Sequence, residues 1–233
     1  MGTYPGGKNG AGVYHTIINL MPPHSVYVEP FAGSAAIYHH KKPAAKSILI
    51  DLDPLPLQQI PLTRGLTVIC DDGIHWLVEH ARSLPRDALM YCDPPYLLST
   101  RKSGALYNYE MSDEQHETLL DILNEAACRV MISGYWSVLY REKLTAPRWH
   151  RTWYMAMTRS GHLAQEWLWM NYELPTELHD HHLVGRNFRE RERIKRKVQR
   201  WTKRLETMNA LDRTTLLAAL AEIAAIPDEA RSR

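Results

Sequence analysis

From Ser25 to about Ser137, short apolar runs alternate with stretches of helical period, the pattern of an α/β domain built on a largely parallel sheet. The runs 26–29, 47–51, 67–70, 88–92 and 129–133 are expected as strands. Helices are expected over 13–21, 33–41, 73–83 and 112–127, the last opened by a capping box of Ser112 with Gln115. From Trp149 to Glu173 the pattern changes to aromatic and β-branched runs at 150–157 and 165–171 around the turn Thr158-Arg159-Ser160-Gly161. This predicts an antiparallel hairpin at one sheet edge. After Pro175 the chain turns polar, with a long basic helix expected over 188–208 and an Ala/Leu-rich helix over 213–226. The expected organisation is an α/β domain over 1–175 and a basic helical extension over 176–233, with no internal repeat.

Length and composition keep this picture within ordinary bounds. The chain has 233 residues, of which 45% are hydrophobic and 23% charged, as in soluble globular proteins. No run approaches the roughly 18 apolar residues that span a bilayer, and the N-terminal residues lack the apolar core of a signal peptide, so a cytoplasmic location is expected. Cys70, Cys92 and Cys128 form no C-x-x-C pair, and His179, His181 and His182 lie in a short loop without ligand spacing; no disulfide framework or metal site is expected. The net charge of +2 hides an asymmetry: residues 1–185 carry 15 Lys/Arg against 19 Asp/Glu, whereas residues 186–204 carry 10 against 2. Basic charge is thus concentrated in the long helix.

The chemistry is densest at Asp93-Pro94-Pro95-Tyr96, where the fourth apolar run ends. A strand that delivers a carboxylate, two rigid prolines and an aromatic ring builds a slot for a flat base bearing an exocyclic amine. Such an amine is a poor nucleophile because its lone pair is delocalised. Acceptors on its protons, the Asp93 carboxylate and the Pro94 carbonyl, favour a pyramidal nitrogen and stabilise the charge that develops on it. Tyr96 is placed to stack on the base, which must leave a duplex to reach such a slot. Upstream, Glu29-Pro30-Phe31-Ala32-Gly33-Ser34 reads as the first βα turn of a doubly wound fold. One glycine there suits a cofactor without a pyrophosphate, such as S-adenosylmethionine. Asp51 stands 18 residues after Gly33, close to the offset of a ribose-binding acid, with Asp53 as the less favoured alternative. Asp72 is expected to meet the cofactor's adenine amine, with Asp71 as its rival; each acid alone also suits a helix cap. The glycine turn before Lys8 is read as presenting Lys8 and Tyr4 to the cofactor face.

With these residues in place, the chain resembles the DNA adenine-N6 methyltransferases of the Dam type, particularly short phage and prophage members. Tyr4-Pro5-Gly6-Gly7-Lys8 is similar to the family's N-terminal cofactor motif, 29–34 to its glycine motif and 93–96 to its catalytic motif. Ser133-Gly134-Tyr135 and the segment 166–171 are similar to downstream family segments. The resemblance implies a doubly wound, mostly parallel sheet of the S-adenosylmethionine-dependent methyltransferase type, and DNA methylation of the kind found in restriction–modification and phage systems. It implies Asp93, Pro94, Pro95 and Tyr96 as catalytic, and Tyr4, Gly7, Lys8, Glu29, Pro30, Phe31, Ala32, Gly33, Ser34, Asp51 and Asp72 as cofactor-binding. Larger members insert a target-recognition domain between the cofactor and catalytic motifs. Here 41 residues separate Asp51 from Asp93, filled by a helix, a strand and another helix, so sequence recognition comes from elsewhere or is relaxed.

Two segments are expected to touch DNA. The stretch 97–111, with Arg101, Lys102, Tyr107 and Tyr109, follows the catalytic turn and is placed to close over a flipped nucleotide. The basic helix offers Arg189, Arg193, Lys195, Arg196, Lys197 and Arg200 to phosphates, while Phe188, Ile194, Val198, Trp201 and Leu205 are expected to pack it on the α/β domain. Cytosine-N4 or RNA amine methylation uses the same chemistry, and a DNA-binding protein that has lost catalysis is the alternative of another class.

Overall fold

A computed structural model describes residues 7–10, 12–101, 104, 107–158, 161–185 and 187–225. Two compact units divide the chain, one ending at Val184 and one beginning at Gly185. The polar segment after Pro175, assigned to the extension from its composition, belongs to the first unit as far as Val184 and is bonded to it at His179 and Leu183. The His179 N–H donates to Met21 O at 2.9 Å, and the Asn19 side chain to Leu183 O at 2.8 Å.

In the first unit, seven strands form one sheet: β1 (Val26–Glu29), β2 (Lys46–Asp51), β3 (Leu66–Cys70), β4 (Leu89–Cys92), β5 (Arg129–Gly134), β6 (His150–Met157) and β7 (Leu163–Met170). Their order is β3-β2-β1-β4-β5-β7-β6, with β1 to β5 parallel and β7 antiparallel to both of its neighbours. This is the doubly wound sheet with an antiparallel hairpin expected from the sequence. The hairpin enters the sheet through β7, which makes β6 the outer strand.

The strands of the middle carry apolar residues on both faces because helices cover both. One core gathers Val28, Met90, Ile132 and Trp169 with α4 (Gly73–His80), α5 (Asp113–Glu125) and α6 (Val138–Lys143). The other gathers Tyr27, Leu49, Tyr91 and Leu168 with α1 (Val13–Ile18), α2 (Ala36–His40) and α3 (Pro54–Leu57). The expected capping box is formed: Ser112 Oγ accepts from Gln115 N–H at 3.2 Å, and Gln115 Oε1 from Ser112 N–H at 2.9 Å. The first-turn helix is shorter than its sequence suggests. Gly33 (φ 49°) and Ala35 (φ 50°) both take the left-handed region, so α2 starts only at Ala36.

The second unit holds α7 (Phe188–Glu206) and α8 (Ala210–Ala225). Neither has a buried residue, and Phe188, Val198 and Trp201 of the α7 apolar stripe are exposed.

Candidate functional site

The strand order reverses between β1 and β4, and a cleft opens at the C-terminal ends of these strands. Crevices at such a switch point are where doubly wound folds bind ligands. Glu29 ends β1, Asp51 ends β2, Asp72 follows β3 and Asp93 follows β4; all four line this one cleft.

The glycine turn is held by Asp51. Its Oδ2 accepts the Gly33 N–H at 2.6 Å and its Oδ1 the Asp53 N–H at 2.8 Å, which leaves lone pairs on both oxygens. Burial raises the Asp51 pKa, against the pull of these backbone donors. Asp53, the rival, is buried; it caps α3 through Leu55 N–H at 3.0 Å and takes the Asn108 side chain at 3.0 Å. Asp72 caps α4, its Oδ1 accepting the Ile74 N–H at 2.7 Å. Gly73 follows it because nothing larger fits. A Cβ there would lie 2.1 Å from Pro30 O and 2.9 Å from a Phe31 ring carbon. The cap and the glycine turn are thereby pressed together.

Glu29 is 3% exposed. Its Oε1 accepts the Tyr27 hydroxyl at 2.8 Å, while its Oε2 is buried without a hydrogen-bond partner. Burial pushes its pKa up to about 8, although the Tyr27 hydroxyl and the Lys41 ammonium pull the other way. A buried carboxylate oxygen without a donor is costly unless a ligand supplies one. Glu29 lines the cleft, and a cationic or N–H donor group fits it.

Beside this half lies a second cluster. Lys8 Nζ donates to Asp93 Oδ1 at 2.9 Å and to the Tyr96 hydroxyl at 2.9 Å, and stands 3.4 Å from Glu166 Oε2. Glu166, on β7, accepts from the hydroxyls of Tyr96 at 2.7 Å and Tyr154 at 2.8 Å. Asp93 Oδ1 also accepts the Ser133 hydroxyl at 2.6 Å, and the Tyr91 hydroxyl lies 3.2 Å from Ser133 Oγ. Tyr135 packs edge-on against Tyr96 with centroids 4.8 Å apart. One ammonium therefore faces two carboxylates. Burial alone would lower the Lys8 pKa, but Asp93 and Glu166 outweigh it and hold Lys8 protonated. Burial raises Asp93 against the pull of Lys8 and Ser133, whereas at Glu166 burial is outweighed by Lys8 and the two phenols, so its pKa falls.

Of the residues singled out in the sequence, Gly7, Lys8, Glu29, Phe31, Ala32, Gly33, Ser34, Asp51, Asp72, Asp93, Pro95, Tyr107 and Tyr109 all line the cleft. Pro30 does not line it, its carbonyl lying against Gly73, and Tyr96 stands behind Asp93 in the Lys8 cluster. Pro94 is buried within the turn between them. Tyr4 and Lys102 lie outside the described residues. Arg101 is a correction. Its guanidinium is buried and paired with Glu110, which also accepts the Tyr107 N–H at 3.0 Å, so it staples the loop instead of meeting phosphates. The basic residues of α7 expected on DNA are exposed: Arg189, Arg193, Lys195, Arg196, Lys197 and Arg200 all face solvent.

Sequence reasoning gave no role to Glu166, Tyr154 or Ser133. Glu166 sits where an alternating strand turns a charged residue inward, between apolar neighbours; that inward carboxylate was the available signal. Among the described residues no group of three or more His, Cys, Asp or Glu could hold a metal, and no helix is long and apolar enough to cross a membrane.

The strand order and the antiparallel β7 define a doubly wound sheet closed at one edge by an antiparallel hairpin. Solved structures that the chain is similar to include a SAM-dependent methyltransferase from Agrobacterium tumefaciens (11% identity, 69% of this chain and 59% of that one, TM-score 0.44). Others are an rRNA methylase from Streptococcus thermophilus (15%, 73% and 98%, TM-score 0.44) and a precorrin-6Y C5,15-methyltransferase from Geobacter metallireducens (12%, 69% and 86%, TM-score 0.42). Likenesses this distant bear on no substrate and no residue role. No protein-family model and no curated protein matches the sequence.

Proposed function

We propose that the protein transfers a methyl group from S-adenosylmethionine to the exocyclic N6 amine of adenine in DNA. The observation that carries this reading is the convergence of Glu29, Asp51, Asp72, Asp93 and Pro95 on one cleft at the sheet's switch point. Glu29 fits the cofactor's ammonium, because its buried Oε2 lacks a donor; Asp51 fits the ribose hydroxyls and Asp72 the adenine amine. When bound, the cofactor supplies an electrophilic methyl group on a sulfonium.

The chain's own residues do the rest. Both bonds to Asp93 fall on Oδ1, from Lys8 and Ser133, and leave Oδ2 for the target amine. With the Pro94 carbonyl it accepts the amine protons and stabilises positive charge on the nitrogen as its bond to carbon forms. Asp93 and Glu166 together outnumber Lys8 by one negative charge, so the field in the slot favours that charge. Tyr96, buried behind Asp93 and fixed by Glu166 and Lys8, holds the Lys8 ammonium against Asp93. Tyr107 and Tyr109 also line the cleft, where their loop can exclude water.

The test is transfer from labelled cofactor to oligonucleotides followed by nucleoside analysis. Wild-type protein should give N6-methyladenine, and Asp93→Ala should lose transfer at least a hundredfold while keeping cofactor affinity, as loss of a charge-stabilising group does. Methylcytosine as the only labelled base, or turnover retained in Asp93→Ala, overturns the reading.

A further inference from the structure

The hairpin of β6 and β7 rises past the end of the sheet beside the candidate slot. Pairing of β5 with β7 stops at Gly134 opposite Trp167, whereas β6 and β7 continue through four further pairs to Met157 opposite Leu163. At about 3.4 Å per residue, the hairpin projects roughly 14 Å beyond β5 on the cleft side. Its two faces differ. The inward face carries Tyr154 and Glu166, which hold Tyr96. The outward face carries Arg151, Trp153, Met155 and Met157, and of these the last three are exposed large apolar residues.

Trp153 pairs directly with Trp167, so the two rings share this face. Trp167 in turn lies 4.7 Å from Trp136, and the Arg151 guanidinium sits 5.0 Å above the Trp136 ring. Trp136 follows Tyr135, the residue packed against Tyr96. An aromatic row therefore runs outward from the slot, with one cation and, among the described residues, no carboxylate on its face. Exposed apolar surface of this extent on an outer strand marks an interaction site. Indole rings interleaved with a guanidinium, next to a slot for a base, match the π-faces and phosphates of an unpaired strand better than another protein's aliphatic edge.

We propose that the outward face of the β6/β7 hairpin, through Trp136, Trp153, Trp167 and Arg151, is a stacking platform for unpaired bases flanking the target. Single-stranded or locally opened DNA is then the preferred form of the substrate. This rests on the reading of the cleft as a DNA methyltransferase site, and it accounts for how a chain with no inserted recognition domain keeps hold of its substrate.

The experiment measures binding of fluorescein-labelled oligonucleotides without cofactor, single-stranded and duplex, to wild type, Trp153→Ala, Trp136→Ala/Trp153→Ala and Trp153→Phe. Both tryptophans are partly exposed, so circular dichroism should confirm intact folds. The wild type should bind single strands more tightly than duplex, and each tryptophan removed should weaken single-strand binding about tenfold, with Phe restoring most of the loss. Irradiation of a 5-iodouracil oligonucleotide should crosslink to a peptide containing Trp136 or Trp153. Unchanged single-strand affinity in the double variant overturns the platform even if methyl transfer is intact, and methyl transfer absent with the tenfold losses present overturns the cleft reading alone. A wild-type dimer that the double variant converts to monomer, with DNA affinity unchanged, assigns the face to a second copy and overturns the proposal.

Discussion

The Lys8, Asp93 and Glu166 cluster predicts a specific energetic coupling. In Lys8→Met both carboxylates stay buried without their cation, and loss of one partner from a buried pair costs about 3–5 kcal/mol. In Glu166→Gln the ammonium keeps Asp93 at 2.9 Å, but the Tyr96 and Tyr154 hydroxyls pass from a charged acceptor to a neutral one. Each such exchange costs about 1 kcal/mol, and with the ammonium's second carboxylate gone the variant should be destabilised by about 3 kcal/mol. For a unit of this size that lowers the melting temperature by about 6–12 °C. The double variant removes one charge of each sign, so its cost should fall short of the sum of the singles by about 1–3 kcal/mol. Urea unfolding of the wild type, both singles and the double closes the cycle. Coupling below about 0.5 kcal/mol would show that Lys8 and Glu166 do not act as a pair, and would sink the account of how Tyr96 is held.

Three further outcomes follow from the geometry. Gly73→Ala should destabilise by about 1–3 kcal/mol in chemical unfolding, because the Pro30 carbonyl that its Cβ meets is backbone and cannot rotate away; stability within about 0.5 kcal/mol of wild type refutes the close approach. Glu29, pushed up to about 8, binds a proton at pH 7 that its unfolded form, with its ordinary pKa of 4.5, does not, so its share of stability falls as pH rises from about 4.5 to 8. Docking of the cofactor's ammonium should expel that proton, so calorimetry in buffers of different ionisation enthalpy should find release of up to one proton at pH 7, absent in Glu29→Gln; equal release in both disproves the contact. Neutralising Arg193, Lys195, Arg196 and Lys197 on α7 should flatten the salt dependence of duplex binding by about 0.9 in log–log slope for each phosphate no longer neutralised, and an unchanged slope leaves α7 without a phosphate role.

What could be read from the sequence was what local chemistry determines. The strand ends at Glu29, Asp51 and Cys92, the Ser112 capping box and the two-run hairpin each carry their signal within a few residues, and all are present. Features set by distant partners were not legible. Ala35 would suit a helix, yet the Gly33 turn clamped by Asp51 forces it left-handed and delays α2. Arg101 looks like a phosphate ligand until Glu110 folds back on it, nine residues later.

The same distinction applies to the site. Under the proposed reaction Asp93 serves an amine slot, but an isolated turn of this kind would hold a buried carboxylate with nothing to neutralise it. Lys8, 88 residues from Tyr96, supplies the cation, and Glu166, 70 residues from it on the opposite side, fixes the ring and restores the net negative charge. Removing either alone leaves the other's charge misplaced: without Lys8 the carboxylates repel, and without Glu166 the ammonium cancels Asp93 and the slot loses its preference for a nitrogen becoming positive. Under the proposed reaction the two residues therefore have opposite effects on the field at Asp93. Stability depends on their being present together, and the acceptor strength of Asp93 depends on the excess of carboxylate over ammonium that the β7 residue provides.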